Sequence, residues 1–204
     1  LDSVLTADER AAFARVMLRS VCETLHETGS EPTVLATASL DETTLEEPAL
    51  PPDTSVVVDD QPLTAAVNDQ LAATETPTLI VMADLPLATP ESIRRLIAAS
   101  DDAGNDADIA IAPGVGGGTN ALVVREPAFR VDYHGASYLD HRAAAADLDA
   151  TVSVVDSRQL ATDIDEPSDL AEVLLHDDGP ARAWLVDAGI ELDTGDGRVG
   201  VRRS

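Results

Sequence analysis

The sequence contains no lysine. Its 13 basic residues are all arginine and stand against 38 aspartate and glutamate residues, which gives a formal net charge of -25 at pH 7. Such a chain offers no basic stripe to neutralise phosphates, so we expect it to bind no nucleic acid. Its charges would repel one another in dilute buffer, but molar salt shortens the screening length to roughly 3 Å. A hydrophobic content of 44% argues against acidic disorder, so the charge predicts the surface of a salt-accumulating halophile.

Cysteines and long apolar runs are also scarce. The chain has one cysteine, Cys22, so it cannot form an internal disulfide, and the helical pattern around this residue predicts a core or helix-face thiol. No run approaches the ~20 apolar residues that cross a bilayer, and no secretory signal is visible. We therefore expect a cytoplasmic protein that makes no membrane contact.

Strand and helix patterns alternate along the chain. Short apolar runs predict strands at 33–38, 56–58, 78–82, 109–112, 121–124 and 152–155, and the tail 190–202 reads as a hairpin. Helical spacing predicts helices at 8–27, 63–73, 90–100, 137–146, 167–176 and 180–188. The acidic segment 39–55 reads as a solvated connection with room for one short helix. The alternation indicates an α/β fold with a mostly parallel sheet, in one domain over 1–204.

The first predicted helix has no strand before it. An α/β domain normally opens with a strand, so we expect that this chain lacks its first ~15 to 20 residues, as an incomplete βα unit would require. Natural processing or an irregular start is the alternative.

Acidic residues follow two of the predicted strands. Asp84 comes just past the strand at 78–82, while Asp163 and Asp165 alternate along a stretch that reads as a strand end. Open α/β sheets bind ligands beyond the carboxyl ends of their strands, and a group of carboxylates there suits Mg²⁺ or Mn²⁺. The alternatives are turn chemistry at Asp84 and helix capping by Asp165 or Glu166.

Two further segments could contact an anion. In PGVGGGTN, residues 113–120, consecutive glycines let backbone amides approach a ligand, and Thr119 adds a hydroxyl. A flexible loop between strands is the alternative there. His134 and Ser137 precede a helix whose N-terminus could bind an anion, and the alternative for Ser137 is a helix N-cap.

Taken in order, these segments resemble one family. The motifs are LDSVL followed by ER (1–10), ADLPL (83–87), GGTNAL (117–122), YHGASYLDH (133–141) and DIDEPSDL (163–170). Together they resemble the 2-phospho-L-lactate guanylyltransferases of coenzyme F420 biosynthesis, and the resemblance spans essentially the whole chain. It implies a GT-A-type nucleotidyltransferase fold, with a mixed, mainly parallel sheet in an α/β/α sandwich.

The resemblance also implies an activity. Members of the family couple the phosphate of 2-phospho-L-lactate to the GMP part of GTP, and some relatives use phosphoenolpyruvate or 3-phosphoglycerate. The implied catalytic and Mg²⁺- or Mn²⁺-binding acids are Asp84, Asp163 and Asp165. The implied contacts to the acceptor acid are Thr119, His134 and Ser137. Two alternative functions stay open: another GT-A activity with a sugar or molybdopterin acceptor, and a non-catalytic nucleotide-binding module. A homodimeric assembly is also possible.

Overall fold

The computed structural model describes residues 1–204 except 41–49, 75–76, 102–106 and 196. Seven helices lie in the described residues: α1 (Ala7–Glu27), α2 (Leu63–Ala73), α3 (Pro90–Asp101), α4 (Ser137–Asp147), α5 (Arg158–Ala161), α6 (Asp169–His176) and α7 (Pro180–Asp187). The six predicted helices are present, and α5 is a short helix that the spacing does not predict. Most of the acidic connection predicted at 39–55 lies outside the described residues. None of the described helices is long and apolar enough to cross a membrane.

Eight strands form three sheets in the described part of the chain: β1 (Thr33–Ala36), β2 (Ser55–Val58), β3 (Thr78–Val81), β4 (Ile109–Pro113), β5 (Thr119–Val124), β6 (Val152–Val154), β7 (Ile190–Asp193) and β8 (Gly200–Arg203). The central sheet has the order β3-β5-β4-β6, with β5 antiparallel to both neighbours and β6 parallel to β4. Strands β1 and β2 pair in parallel, and β7 and β8 form the predicted hairpin. The central sheet is therefore mixed, as expected. It is less parallel than expected, because β5 runs antiparallel between β3 and β4.

Helices cover both faces of the central sheet. Successive side chains of a strand point to opposite faces, so β4 and β5 divide their residues between two apolar clusters. The cluster on one face joins these strands to α1 and α3 through Val21, Leu96, Ala110 and Val123. The cluster on the other face joins them to α2 and α4 through Val67, Ile111, Leu122 and Ala145. This arrangement is the expected α/β/α sandwich.

Helix α1 ties the start of the chain to its end. The Glu9 N–H donates to Thr6 Oγ1 at 3.3 Å, and the Glu9 carboxylate accepts from the Thr6 N–H at 2.8 Å, which is a capping box. Arg203 of β8 donates to the same carboxylate at 3.0 Å, and the hydrogen bonds from Arg203 and Thr6 lower the pKa of Glu9 to about 2. Cys22 on this helix is buried, as predicted, and burial raises the pKa of its thiol to about 11.

Candidate active site

Asp84 lies in the turn that follows β3, as the sequence predicts. The Met82 N–H donates to the Asn120 carbonyl at 2.9 Å, so the chain stays beside β5 for one residue past the end of β3. The fully buried Leu85 anchors the other side of Asp84 in the core. Between these anchors, Asp84 Oδ1 is buried and has no hydrogen-bond partner among the described residues. Burying a polar atom without a partner is costly, so this oxygen is one that a bound cation or ligand could satisfy.

Asp163 and Asp165 lie beside Asp84, but they are not on a strand. The expected strand end is wrong, because residues 162–168 form an irregular connection between α5 and α6. Ile164 sits between the two aspartates, with its side chain buried in the core. Its N–H donates to the Asp84 carbonyl at 3.2 Å. This backbone hydrogen bond and this apolar anchor, rather than a sheet ladder, bring the two aspartates to Asp84.

The three carboxylates form one electrostatic cluster. Burial raises the pKa of the Asp84 carboxyl, and the nearby charges of Asp163 and Asp165 raise it further. Burial and the charge of Asp163 likewise raise the pKa of Asp165. A bound cation would relieve this repulsion. The three predicted acids therefore lie close enough to interact, and their catalytic and metal-binding roles stay predictions.

Helix capping does not explain the acids before α6. The helix begins at Asp169, after Ser168. The Asp169 carboxylate accepts from the N–H groups of Asp165 and Glu166, at 3.1 and 2.7 Å. The capping alternative for Asp165 and Glu166 is therefore wrong, because Asp169 provides the carboxylate that binds the backbone here. The role of Asp165 in metal binding stays a prediction.

The glycine segment is a hydrogen-bonded turn between β4 and β5. The Gly114 N–H donates to the Gly118 carbonyl at 2.9 Å, and the Gly117 N–H donates to the Gly114 carbonyl at 3.1 Å. Gly117 has a φ of +89°, a backbone conformation that favours glycine. The register of β4 against β5 shifts between Ala112 and Pro113, and such irregularities often re-aim side chains next to binding sites. The turn therefore has a defined conformation, with Thr119 at its end.

Thr119 and Ser137 meet where β5 and α4 begin. The Thr119 N–H donates to Ser137 Oγ at 2.9 Å, and both residues are buried. The N-cap alternative for Ser137 is wrong, because Ala136 occupies the N-cap position and Ser137 is the first helical residue. The Tyr138 N–H also donates to the Gly117 carbonyl at 3.3 Å. The two segments predicted to contact the acceptor acid are therefore in direct contact with each other.

His134 does not share this contact. Its side chain is 77% exposed and pairs with the carboxylate of Asp132, so its predicted role in substrate binding stays a prediction. The buried histidine of the segment is His141, whose Nδ1 lies 2.9 Å from Thr119 Oγ1. The motifs give His141 no role. Its spacing of four residues from Ser137, which places both on one face of α4, was the signal that could have found it.

Asn120 is a second residue to which the motifs give no role. Its buried side chain donates from Nδ2 to Asp163 Oδ1 at 3.2 Å. The register pairs Ala112 with Ala121 and Pro113 with Thr119, so it skips Asn120 and breaks the regular alternation of β5. The hydrogen bonds therefore place Thr119 toward α4 and Asn120 toward the acids. Gly114 leaves room for this amide, since a Cβ there would lie 2.6 Å from Asn120 Oδ1. The signal in the sequence that could have revealed Asn120 is the pair of polar residues, Thr119 and Asn120, at the start of an otherwise apolar strand.

The cluster has the chemistry that a hard divalent cation prefers. Carboxylate oxygens suit Mg²⁺ and Mn²⁺, and Asp84 Oδ1, which has no hydrogen-bond partner in the described part of the chain, is a buried oxygen of this kind. In the part of the chain that the structure describes, no three histidine, cysteine or acidic side chains are grouped closely enough to hold a metal. Mg²⁺ usually takes one or two carboxylates and completes its shell with substrate phosphates and water, so the predicted metal site stays a prediction.

Comparison with known proteins identifies the family. A family model described as guanylyl transferase CofC like matches residues 1–204. The chain belongs to the CofC-like guanylyl transferases. Curated proteins named 2-phospho-L-lactate guanylyltransferase from Halomicrobium mukohataei and Halorubrum lacusprofundi are each 53% identical to it, over 100% of this chain and 92% and 93% of theirs. A protein of the same name from Natronomonas pharaonis is 51% identical over 100% of this chain and 92% of its own.

The fold of this CofC-like chain also has a solved counterpart. A crystal structure of a "putative nucleotide-diphospho-sugar transferase" from Desulfovibrio desulfuricans matches it with a TM-score of 0.70, over 92% of this chain and 86% of that chain. The two sequences are 15% identical, so the likeness concerns the fold alone. It confirms the GT-A-type nucleotidyltransferase fold that the motifs imply.

Proposed function

We propose that this CofC-like chain joins the phosphate of 2-phospho-L-lactate to the GMP part of GTP, a step of coenzyme F420 biosynthesis. The observation that carries the proposal is the match of the whole chain to the family and to relatives named for this activity. In this reaction an oxygen of the acceptor phosphate attacks the α-phosphorus of GTP. The bond from that phosphorus to the bridging oxygen of the β-phosphate breaks, and diphosphate leaves with the bonding electrons.

The reaction requires two polyanions to meet on a protein that is itself strongly acidic. Positioning and charge compensation supply most of the catalysis in such transfers. We assign this work to Asp84, Asp163 and Asp165, which together with the phosphates of GTP and water would hold Mg²⁺ or Mn²⁺ and so bring positive charge to those phosphates. Support comes from Asp84 Oδ1, which is buried without a hydrogen-bond partner among the residues that the structure describes, and from the hydrogen bond that Asn120 donates to Asp163.

The acceptor acid belongs, in this proposal, on the other side of β5. Thr119 and Ser137 meet there beside the glycine turn, and their hydroxyls can donate to a carboxylate or a phosphate without any lysine. His134 stays a proposed contact, from the exposed edge of the same segment. The opposite orientations of Thr119 and Asn120 support this division, with GTP on the side of the acids and the phospho-acid on the side of α4.

An assay of the purified protein in molar KCl tests the proposal. GTP and Mg²⁺ are supplied with 2-phospho-L-lactate, phosphoenolpyruvate or 3-phosphoglycerate, while diphosphate release and product mass are measured. We expect diphosphate and the guanylylated product with 2-phospho-L-lactate. Asp84→Asn should abolish both, whereas Asp187→Asn, at an exposed aspartate of α7, should change neither.

Two other outcomes are informative. If only phosphoenolpyruvate or 3-phosphoglycerate gives a guanylylated product, the chain is still a guanylyltransferase but its acceptor is that acid and not 2-phospho-L-lactate. Binding of GTP without diphosphate release with any of the acids would contradict the enzymatic function and leave a nucleotide-binding module.

A further inference from the structure

His141 is a buried, neutral side chain at the base of the acceptor surface, the contact of Thr119 with Ser137 where the phospho-acid is proposed to bind. It lies on α4 with 0% of its surface exposed. The rings of Phe129 and Tyr133 meet it edge-on, with centroids 6.0 and 5.0 Å from that of the imidazole. Burial lowers the pKa of His141 to about 4, so the ring carries a single proton near neutral pH. The position of that proton decides what the ring can do to its neighbours.

The backbone fixes which nitrogen carries the proton. The Asp132 N–H donates to His141 Nε2 at 3.0 Å. A nitrogen that accepts a hydrogen bond carries no proton, and a neutral imidazole has one N–H. The proton of His141 is therefore on Nδ1. This nitrogen lies 2.9 Å from Thr119 Oγ1, so it donates to the threonine hydroxyl.

The same logic extends to both hydroxyls of the acceptor surface. Thr119 Oγ1 accepts from His141, and Ser137 Oγ accepts from the Thr119 N–H at 2.9 Å. Each oxygen thus accepts a hydrogen bond from the protein, which leaves its own O–H for another acceptor. The opposite tautomer of His141 would take the Thr119 proton and turn the oxygen lone pairs outward, which would repel an anion.

We propose that His141 is a positioning residue, whose Nδ1–H holds the Thr119 hydroxyl as a hydrogen-bond donor to an anionic oxygen of the acceptor phospho-acid. This inference rests on the proposed function, because it specifies how that site recognises an anion. His141 does not touch the substrate. It sets the direction of a hydroxyl that could otherwise donate or accept.

Two substitutions separate the two hydrogen bonds of His141, the one to Thr119 Oγ1 and the one from the Asp132 N–H. The amide of His141→Asn can occupy the place of Nδ1 and keep a donor for Thr119, but it is too short to reach Asp132. The amide of His141→Gln can occupy the place of Nε2 and accept from Asp132, but it leaves Thr119 without its donor. Each variant loses one hydrogen bond of the buried ring, so a purely structural role predicts similar defects in both.

We expect different defects. His141→Gln should raise the KM for 2-phospho-L-lactate by about 10- to 100-fold, the usual effect of a hydrogen bond to a charged group. Its KM for GTP should stay close to that of the wild type, and His141→Asn should keep most of the acceptor affinity. In a Thr119→Val background, His141→Gln should add little, since the hydroxyl that it orients is gone. Equal acceptor KM values for the Gln variant and the wild type would overturn the role of His141.

A spectroscopic measurement tests the relay without turnover. Nitrogen-15 NMR of the imidazole in the wild-type protein should show His141 protonated on Nδ1 and bare on Nε2. The reverse tautomer would overturn the inference whatever the kinetics. Failure of the wild type to release diphosphate with 2-phospho-L-lactate is a separate result, which would overturn the proposed function.

Discussion

The space at Gly114 allows a sharp test of how the acid cluster is held. A Cβ at Gly114 would lie 2.6 Å from Asn120 Oδ1 and 3.0 Å from both Asn120 Cγ and Nδ2. Asn120 is only 4% exposed, so its amide cannot simply turn into solvent. The same amide donates to Asp163 Oδ1 at 3.2 Å. Gly114→Ala should therefore displace the Asn120 amide and break its hydrogen bond to Asp163.

The structure sets the size of this effect. Overpacking a filled site costs ~1 to 3 kcal/mol of unfolding free energy. A hydrogen bond to a charged group contributes ~1.5 to 3 kcal/mol, and if Asp163 needs it in the transition state, kcat/KM falls by roughly 10- to 150-fold. The matched control is Gly116→Ala in the same turn, where a Cβ would meet nothing within 4 Å. This control should change the unfolding free energy by less than ~0.5 kcal/mol.

Two measurements on the Gly114 and Gly116 variants are needed. Urea unfolding in molar KCl gives the change in stability, and diphosphate release under the same salt gives kcat/KM. Equal stability and equal kcat/KM in the two variants would refute the steric argument. A Gly114→Ala protein that is less stable but fully active would show that the bond between Asn120 and Asp163 does not act in catalysis.

Two further predictions concern charge. Asp84→Asn should raise the Tm at neutral pH without divalent ions, because burial and neighbouring charges raise the Asp84 pKa in the folded state. This gain should vanish below the pKa of an unfolded aspartate, where both states are protonated. Mg²⁺ should raise the Tm of the wild type but not of Asp84→Asn, and a variant no more stable than the wild type at neutral pH would contradict the argument. The Tm should also rise with KCl from dilute to molar concentrations, whereas a flat or falling Tm would leave the net charge of -25 unexplained.

Local patterns predicted the elements well because helix and strand periodicity are local properties. Helix α2 was predicted at 63–73 and lies at Leu63–Ala73. The pairing of the strands could not be predicted in the same way. Strand β5 inserts between β3 and β4, and the apolar run at 121–124 does not specify which strands it will join. The mostly parallel sheet expected from the alternation of elements was therefore only partly right.

The site shows the same limit. Asp84, Asp163 and Asp165 were predicted as neighbours, but the reason given was a strand end that is absent. Instead, a hydrogen bond from the Ile164 N–H to the Asp84 carbonyl holds the two flanking aspartates beside Asp84. Ser137 fits the residue preference of an N-cap, yet its hydroxyl binds the Thr119 N–H across 18 positions of sequence. Contacts of this range follow from the fold, so residue type and local spacing do not reveal them.

Because the chain has no lysine, the binding of an anion depends more strongly on how its hydroxyl groups are oriented. A lysine or arginine side chain can only donate hydrogen bonds, so its presence alone favours an anion. A threonine or serine hydroxyl can donate or accept, so its O–H is available to an anion only if no neighbouring group already accepts it. His141 does not accept the O–H of Thr119, because the backbone N–H of Asp132 sets the tautomer in which Nδ1 is a donor. Because burial lowers the pKa of His141 to about 4, the ring stays neutral through the physiological range. A relay of uncharged groups can therefore present a donor to a phospho-acid without adding a cation to the surface.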